Sequence, residues 1–166
     1  MFFNGISEED RTGKCLVGET MKTVVVIGIF VLFVLGACTA KSSAATKAVI
    51  YKSPGCGCCG NYAAYLESRG FEVEVVEKDD LSAIKKQYKI PNELQSCHTA
   101  VIEEYGVEGH IPVEAIEKLV AEKPDVISIA LPGMQMGTPG MGGSKQGIWT
   151  IVSISKDGTA NEFMTI

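Results

Sequence analysis

The 166-residue sequence predicts an α/β domain: a mixed sheet flanked by helices, with a methionine-rich loop and an added C-terminal hairpin. Three observations carry that expectation. Apolar spacing switches between the period of strands and that of helices along residues 48–123. The first such switch forms a strand-helix-strand unit, which implies a parallel pair joined by a right-handed crossover, with helices over the sheet faces. Two β-rich runs, 148–154 and 159–166, meet at Lys156-Asp157-Gly158, an Asp-Gly hairpin turn.

In chain order, residues 1–20 are polar, show no apolar period and contribute no recognisable element; Cys15 has no role in this reading. Met21-Lys22 and the apolar run over 24–37 read as a signal segment with Met21 as the true start, since a membrane span needs about 20 apolar residues. The run ends Leu35-Gly36-Ala37-Cys38, which resembles the lipobox of bacterial lipoproteins and makes Cys38 a lipidated mature N-terminus. An ordinary signal peptide or uncleaved anchor is the alternative, and either one takes the domain out of the cytoplasm. Residues 1–37 are thus the signal segment, 38–47 a small, polar flexible tether, and 48–166 the domain.

Within the domain, the run 48–51 is a strand and Ser53-Pro54-Gly55 a turn. Tyr62, Tyr65 and Leu66 recur at helical spacing in a helix starting near Asn61, and Gly70 closes it. Residues 71–76 alternate as a strand; Asp79-Asp80 caps a helix over 81–88 that shows Leu81, Ile84 and Tyr88 on one face, and Pro91 ends it. A strand over 99–102 and a partner over 105–110 form a hairpin across Glu103-Glu104, itself a poor turn sequence. Pro112 opens a third helix with Val113, Ile116, Leu119 and Val120 apolar, and Lys123-Pro124 stops it. Residues 131–143 (LPGMQMGTPGMGG) are a loop. This is the element order of a thioredoxin or glutaredoxin domain, in which the loop before the third strand lies against the cysteine turn. Cys97, His98 and Thr99 are therefore expected to face Cys56 to Cys59.

Formal charge is −5; residues 1–37 carry three basic and four acidic side chains, so the remainder carries −4. No basic stripe points to nucleic acid. Glu and Asp are spread over helix faces and strand edges and read as solvated surface. Six cysteines are too few and too clustered for a disulfide-dense miniprotein. There is no Ser-His-Asp spacing, phosphate-binding glycine loop or dinucleotide fingerprint.

The chemistry concentrates in Cys56-Gly57-Cys58-Cys59, set on a strand-to-helix turn. A helix N-terminus favours thiolate, the form that both attacks and ligates, and can bring a cysteine pKa from ~8.5 to roughly 3.5–7.5. Cys56 and Cys59 alone make the Cys-x-x-Cys redox signature, but Cys58 is a third soft ligand surplus to dithiol chemistry. Metal binding, redox exchange and a structural disulfide all remain open on these residues. Cys97 reads as a further thiol or as a buried small hydrophobe. His98 and His110, the two histidines, fall on loops at the cysteine edge. Met134, Met136 and Met141 sit in a Gly/Pro loop with little core to fill. Thioether with thiolate selects Cu(I), whereas zinc sites use cysteine, histidine and carboxylate. The loop could instead pack over the domain or dock a partner.

Four motifs in order then carry a resemblance spanning residues 48–166. They are Lys52-Ser53-Pro54 with Cys56-Gly57-Cys58-Cys59-Gly60; Ser96-Cys97-His98-Thr99-Ala100; Val107-Glu108-Gly109-His110-Ile111-Pro112; and Pro132-Gly133-Met134 through Gly137-Thr138-Pro139-Gly140-Met141. Together they resemble the CopG-like periplasmic copper-resistance proteins, a thioredoxin-like family long catalogued as a domain of unknown function. The resemblance implies a thiolate-bridged, multinuclear copper cluster, with silver as a substitute, in an exported protein that works beside other copper-resistance proteins of the envelope. The implied metal ligands are Cys56, Cys58, Cys59, Cys97, His98, His110, Met134 and Met141. Met136 stands outside the carried-over set, and the lipid anchor at Cys38 rests on the local sequence alone. The expected role is copper sequestration, transfer or redox conversion. Two other readings stand beside it: a thiol-disulfide oxidoreductase using Cys56 and Cys59, and an envelope lipoprotein interaction module.

Overall fold

A computed structural model describes residues 45–166; the signal segment, Cys38 and most of the tether lie outside the described residues. Seven strands form one mixed sheet in the order β2-β1-β3-β4-β5-β6-β7. They are β1 (Lys47–Lys52), β2 (Glu72–Glu77), β3 (His98–Ile102), β4 (Tyr105–Glu108), β5 (Ser128–Ala130), β6 (Thr150–Ile154) and β7 (Ala160–Thr165). Three helices join them: α1 (Gly57–Ser68), α2 (Ser82–Gln87) and α3 (Val113–Glu122).

The pairing follows the element order. β1 and β2 are parallel across α1, β3 returns antiparallel to β1, and β4 pairs antiparallel with β3. This four-stranded, three-helix unit is the thioredoxin arrangement that the order implies. β5 adds parallel to β4, and β6-β7 is the expected C-terminal hairpin, antiparallel and joined through Gly158 at φ 89°. The three-residue β5 was not expected; it links the hairpin to the rest of the sheet. Among the described residues no helix is long and apolar enough to cross a membrane.

Alternation along the strands divides the core between two faces. Ala48, Ile50, Ala100, Ile102, Val107, Ile129 and Ile151 meet Tyr62, Ala63 and Leu66 of α1 and Ala115, Ile116 and Leu119 of α3. Val101, Ala130, Val152 and Ile154 point the other way, toward Ile84 and Tyr88 at α2. Gly106 is required on that second face, because a Cβ there would come 2.6 Å from the Tyr88 ring.

Helix ends follow their local signals with small shifts. α1 closes in a Schellman motif: Phe71 N–H bonds to Leu66 O at 3.1 Å and Gly70 N–H to Glu67 O at 3.0 Å, with Phe71 packed on the core that contains Leu66. The N-cap of α2 is Leu81, not Asp80, because the helix begins at Ser82; Asp80, one position earlier, still accepts from the Ser82 N–H at 2.8 Å through Oδ1. Pro112 precedes α3, and Lys123, in the left-handed region at φ 46°, ends it before Pro124. The largest departure is α1, which starts at Gly57 instead of near Asn61. Cys59, Tyr62, Ala63 and Leu66 are its buried residues and share one helical stripe, so burial of Cys59 draws the cysteines into the first turn.

Candidate metal centre

β1 delivers the chain to the turn at Ser53-Pro54-Gly55, where Gly55 takes φ 75° and Cys56 N–H bonds to Ser53 O at 3.3 Å. Cys56 is the N-cap of α1, and Cys58 and Cys59 fall in its first turn. β3 starts at His98, paired opposite Lys52 of β1. That register brings Cys97 beside Ser53, and the Ser53 N–H bonds to Cys97 O at 3.3 Å. Two loops far apart in sequence are thus pinned side by side at one sheet end.

The consequence is a knot of sulfur. Cys97 Sγ lies 3.0 Å from Cys56 Sγ and 3.4 Å from Cys59 Sγ, and Cys56 Sγ lies 3.5 Å from Cys58 Sγ. All four sulfurs fall within 4.8 Å of one another. Cys97 therefore faces the cysteine turn, as the element order implies. Cys56 and Cys59 are joined in a disulfide, while Cys58 and Cys97 are free thiols. Burial, and next the neighbouring Cys58, push the Cys97 thiol above its ordinary pKa. A cation among the sulfurs would reverse that preference.

The histidines close the buried side. His98 Nε2 lies 3.2 Å from Gly109 O, which can only accept, so Nε2 carries the proton and the Nδ1 lone pair faces Cys59 Sγ at 3.5 Å. His110 Nδ1 donates to Pro139 O at 2.6 Å by the same logic, and its Nε2 is buried with no hydrogen-bond partner. The two rings meet edge to face with centroids 4.9 Å apart, and Tyr62 packs against both. Burial, then the neighbouring His110, holds His98 down at about 3, and burial lowers His110 as well, so both imidazoles are neutral near pH 7. A neutral ring that gives its N–H to a carbonyl and keeps its other nitrogen free is how histidine ligates metal.

The methionine loop reaches the same region through Pro139-Gly140. Gly140, at φ 80°, sits so close to α1 that a Cβ would come 2.7 Å from Tyr62 N, and Asn61 Nδ2 donates to Gly140 O at 3.4 Å. Met141 follows directly and is partly buried. Met134 and Met136 are 48% and 53% exposed, open to solvent.

One expectation is corrected here. Glu108 is not solvated surface: it is fully buried at the end of β4, paired with the buried Lys85 of α2 at 2.5 Å, and bonded to Ser96 and Thr99. Both residues had a signal in the sequence. Lys85 falls four after Leu81 and three before Tyr88, on the apolar stripe, and Glu108 interrupts the apolar run that begins at Tyr105.

The donor set has the chemistry to hold a soft metal beside a redox-competent disulfide. Four cysteine sulfurs, two of them free thiols, and the His98 Nδ1 lone pair converge, more donors than dithiol chemistry uses. Internal transfer of the disulfide to Cys97 requires its thiolate to approach one sulfur along the bond axis, near that sulfur and a bond length farther from the other. Cys97 instead sits side-on, at 3.0 and 3.4 Å from the two sulfurs.

The family described as "Protein of unknown function, DUF411" matches residues 94–141, a stretch that contains Cys97, both histidines and Met141. A solved structure titled "Copper resistance protein copG- Form 1" is 35% identical, with a TM-score of 0.68 over 74% of this chain and 98% of that one. A second, "Copper resistance protein copG- Form 2", is also 35% identical, with a TM-score of 0.69 over 74% of this chain and 99% of that one. The comparison with curated proteins returns no match.

Proposed function

The chain belongs to the family of the copper resistance protein CopG, and on that premise we propose that it is an exported copper-binding protein of metal resistance. It holds Cu(I) in a thiolate-rich centre for sequestration, transfer or redox conversion. The observation that carries this reading is the packing of four cysteine sulfurs within 4.8 Å of one another. Thiolates at that spacing can each bridge two ions, so few ligands hold several Cu(I), and silver, equally soft, is a substitute cargo. The ligand set is Cys56, Cys58, Cys59 and Cys97, with His98 and His110 on the buried side and Met134 and Met141 from the loop. Reducing the Cys56–Cys59 disulfide takes two electrons and two protons and raises the free thiols of the cluster from two to four, so capacity follows the thiol state. Cys38 would tether the domain to the membrane through lipid, facing other copper-resistance proteins of the envelope.

Copper content by mass spectrometry, with thiol titration on reduced and oxidised protein, tests the reading. Reduced protein is expected to take up several Cu(I) and oxidised protein fewer. Equal uptake in both states, or none, rejects a thiolate centre. The disulfide itself favours a second reading, a thiol-disulfide oxidoreductase at Cys56 and Cys59. That protein would turn over a model disulfide without copper and would be insensitive to loss of Cys58. The lipid anchor has its own test: labelling with a palmitate analogue should disappear in Cys38→Ala.

A further inference from the structure

We propose that Glu108, neutralised by Lys85, is a positioning residue for the metal centre: its carboxylate brackets Cys97-His98 and fixes where that thiol and imidazole meet the other three sulfurs. The inference rests on the copper-binding reading and goes beyond its ligand set.

The argument starts from the cost of the arrangement. Glu108 is fully buried and Lys85 nearly so, and replacing a buried ion pair with packed apolar side chains is often neutral or stabilising. Stability alone gives little reason for this pair. Its bonds indicate another. Glu108 Oε1 accepts from Lys85 Nζ and from the Ser96 backbone N–H, each at 2.5 Å, with Ser96 Oγ 2.9 Å away. Oε2 accepts from the Thr99 hydroxyl at 2.6 Å, and Lys85 Nζ also donates to Thr99 Oγ1 at 3.1 Å. Ser96 and Thr99 are the residues immediately before and after Cys97-His98. One carboxylate thus grips the chain on both sides of the two donors.

The next residue adds a further hold. Gly109, at φ 83°, supplies the carbonyl that accepts from His98 Nε2 and so fixes the tautomer that leaves Nδ1 toward Cys59. From the opposite side the Ser53 N–H binds Cys97 O. The Cys97 sulfur, 3.0 Å from Cys56 and 3.4 Å from Cys59, therefore sits on backbone held from β4 and from the cysteine turn at once. Groups that orient a ligand typically change metal affinity by roughly 10–100-fold when removed.

The test uses three variants of the full chain. Lys85→Met with Glu108→Gln removes both charges together, so neither is left buried alone. Thr99→Val removes one arm and keeps the shape. Leu119→Val truncates the core in α3 and serves as a control for general destabilisation. Two quantities are read: the alkylation rate of Cys97 in reduced, metal-free protein by peptide mass spectrometry, and the rate at which a Cu(I) chelator strips loaded protein. The double variant should release Cu(I) about 10-fold faster or more, with faster Cys97 alkylation. Thr99→Val should move both rates in the same direction by less, and Leu119→Val should move neither at a temperature where all are folded. Unchanged rates in the double variant, or equal changes in Leu119→Val, overturn the proposal. Should the double variant not fold, Thr99→Val decides by the same two rates. Should wild type take up no Cu(I), the copper reading falls and Cys97 alkylation alone decides the positioning role.

Discussion

The cysteine turn and the methionine loop present the same class of soft donor on opposite kinds of scaffold. The turn is held between the end of β1, the first turn of α1 and the start of β3, and around the Cys56–Cys59 disulfide its non-bonded sulfur contacts are 3.0–3.5 Å. The loop between β5 and β6 is tied down at Pro139-Gly140, while Met134 and Met136 stand about half exposed. The difference follows from charge. Crowding thiolates is unfavourable until a cation arrives, so their geometry must be imposed by the fold in advance. A neutral thioether repels nothing and can close on a metal after it binds. On the proposed copper-binding function, capacity would belong to the turn and retention to the loop.

The largest expected effect is loss of a turn thiolate. Cys56→Ser or Cys59→Ser deletes a charged, bridging donor, so the reduced protein should bind at least one fewer Cu(I) by titration against a chelator. An unchanged stoichiometry would remove the distinction between the two regions. Next comes the contact between them. Gly140→Ala puts a Cβ 2.7 Å from Tyr62 N in a left-handed conformation that alone costs a non-glycine residue about 1–2 kcal/mol. The Pro139-Gly140 segment must shift away from α1, freeing the carbonyl that binds His110. Cu(I) stoichiometry should hold while release to a chelator accelerates several-fold. Lost stoichiometry would show instead that the loop builds the centre.

The histidines span the two regions, His98 toward Cys59 and His110 toward Pro139. They also give the metal-free protein an acid-sensitive seam. Burial lowers His98 from the ordinary 6.5 to about 3, so between these values the unfolded chain binds the additional proton. Stability from this group is present above pH 6.5 and is lost as pH falls toward 3; His110, lowered by burial, acts in the same direction. Urea midpoints of metal-free wild type should fall across this window, and His98→Gln should flatten the slope. Bound copper should protect, because it competes with protons for the same lone pairs.

How much of this was legible depended on whether the signal was local. The element order, the parallel β1-β2 pair, the Gly70 cap and the Asp-Gly hairpin each rest on a few neighbouring residues, and all are observed. The approach of Cys97 to the cysteine turn followed from topology. Three features were not local. Ser128-Ile129-Ala130 is too short to show a period and becomes strand only because β4 and β6 flank it. Gly57 to Gly60 have weak helix preference, so local pattern places the start of α1 near Asn61, whereas burial of Cys59 extends it to Gly57. Lys85 and Glu108 are each unfavourable inside a core, and only their pairing, 23 residues apart, makes burial tolerable.

The smallest expected effect is also the most discriminating. Met134→Leu and Met141→Leu preserve size and apolar character, so the fold should survive and any change belongs to the sulfur rather than to packing. Met134 is 48% exposed with its backbone at φ 43°, while Met141 is partly buried and follows the Gly140 contact with α1. If thioethers close over metal that the turn has already captured, both variants should load the normal number of Cu(I) and lose it faster to a chelator. Met141→Leu should show the larger change, because Met141 is partly buried and directly follows Gly140, which packs against the cysteine helix. Zinc retention should move less in either variant, since zinc sites draw on cysteine, histidine and carboxylate. Release kinetics for Cu(I) and Zn(II) on the two variants and wild type settle the matter. Identical copper release in all three would leave the loop without a metal role and return the centre to the cysteines and histidines alone.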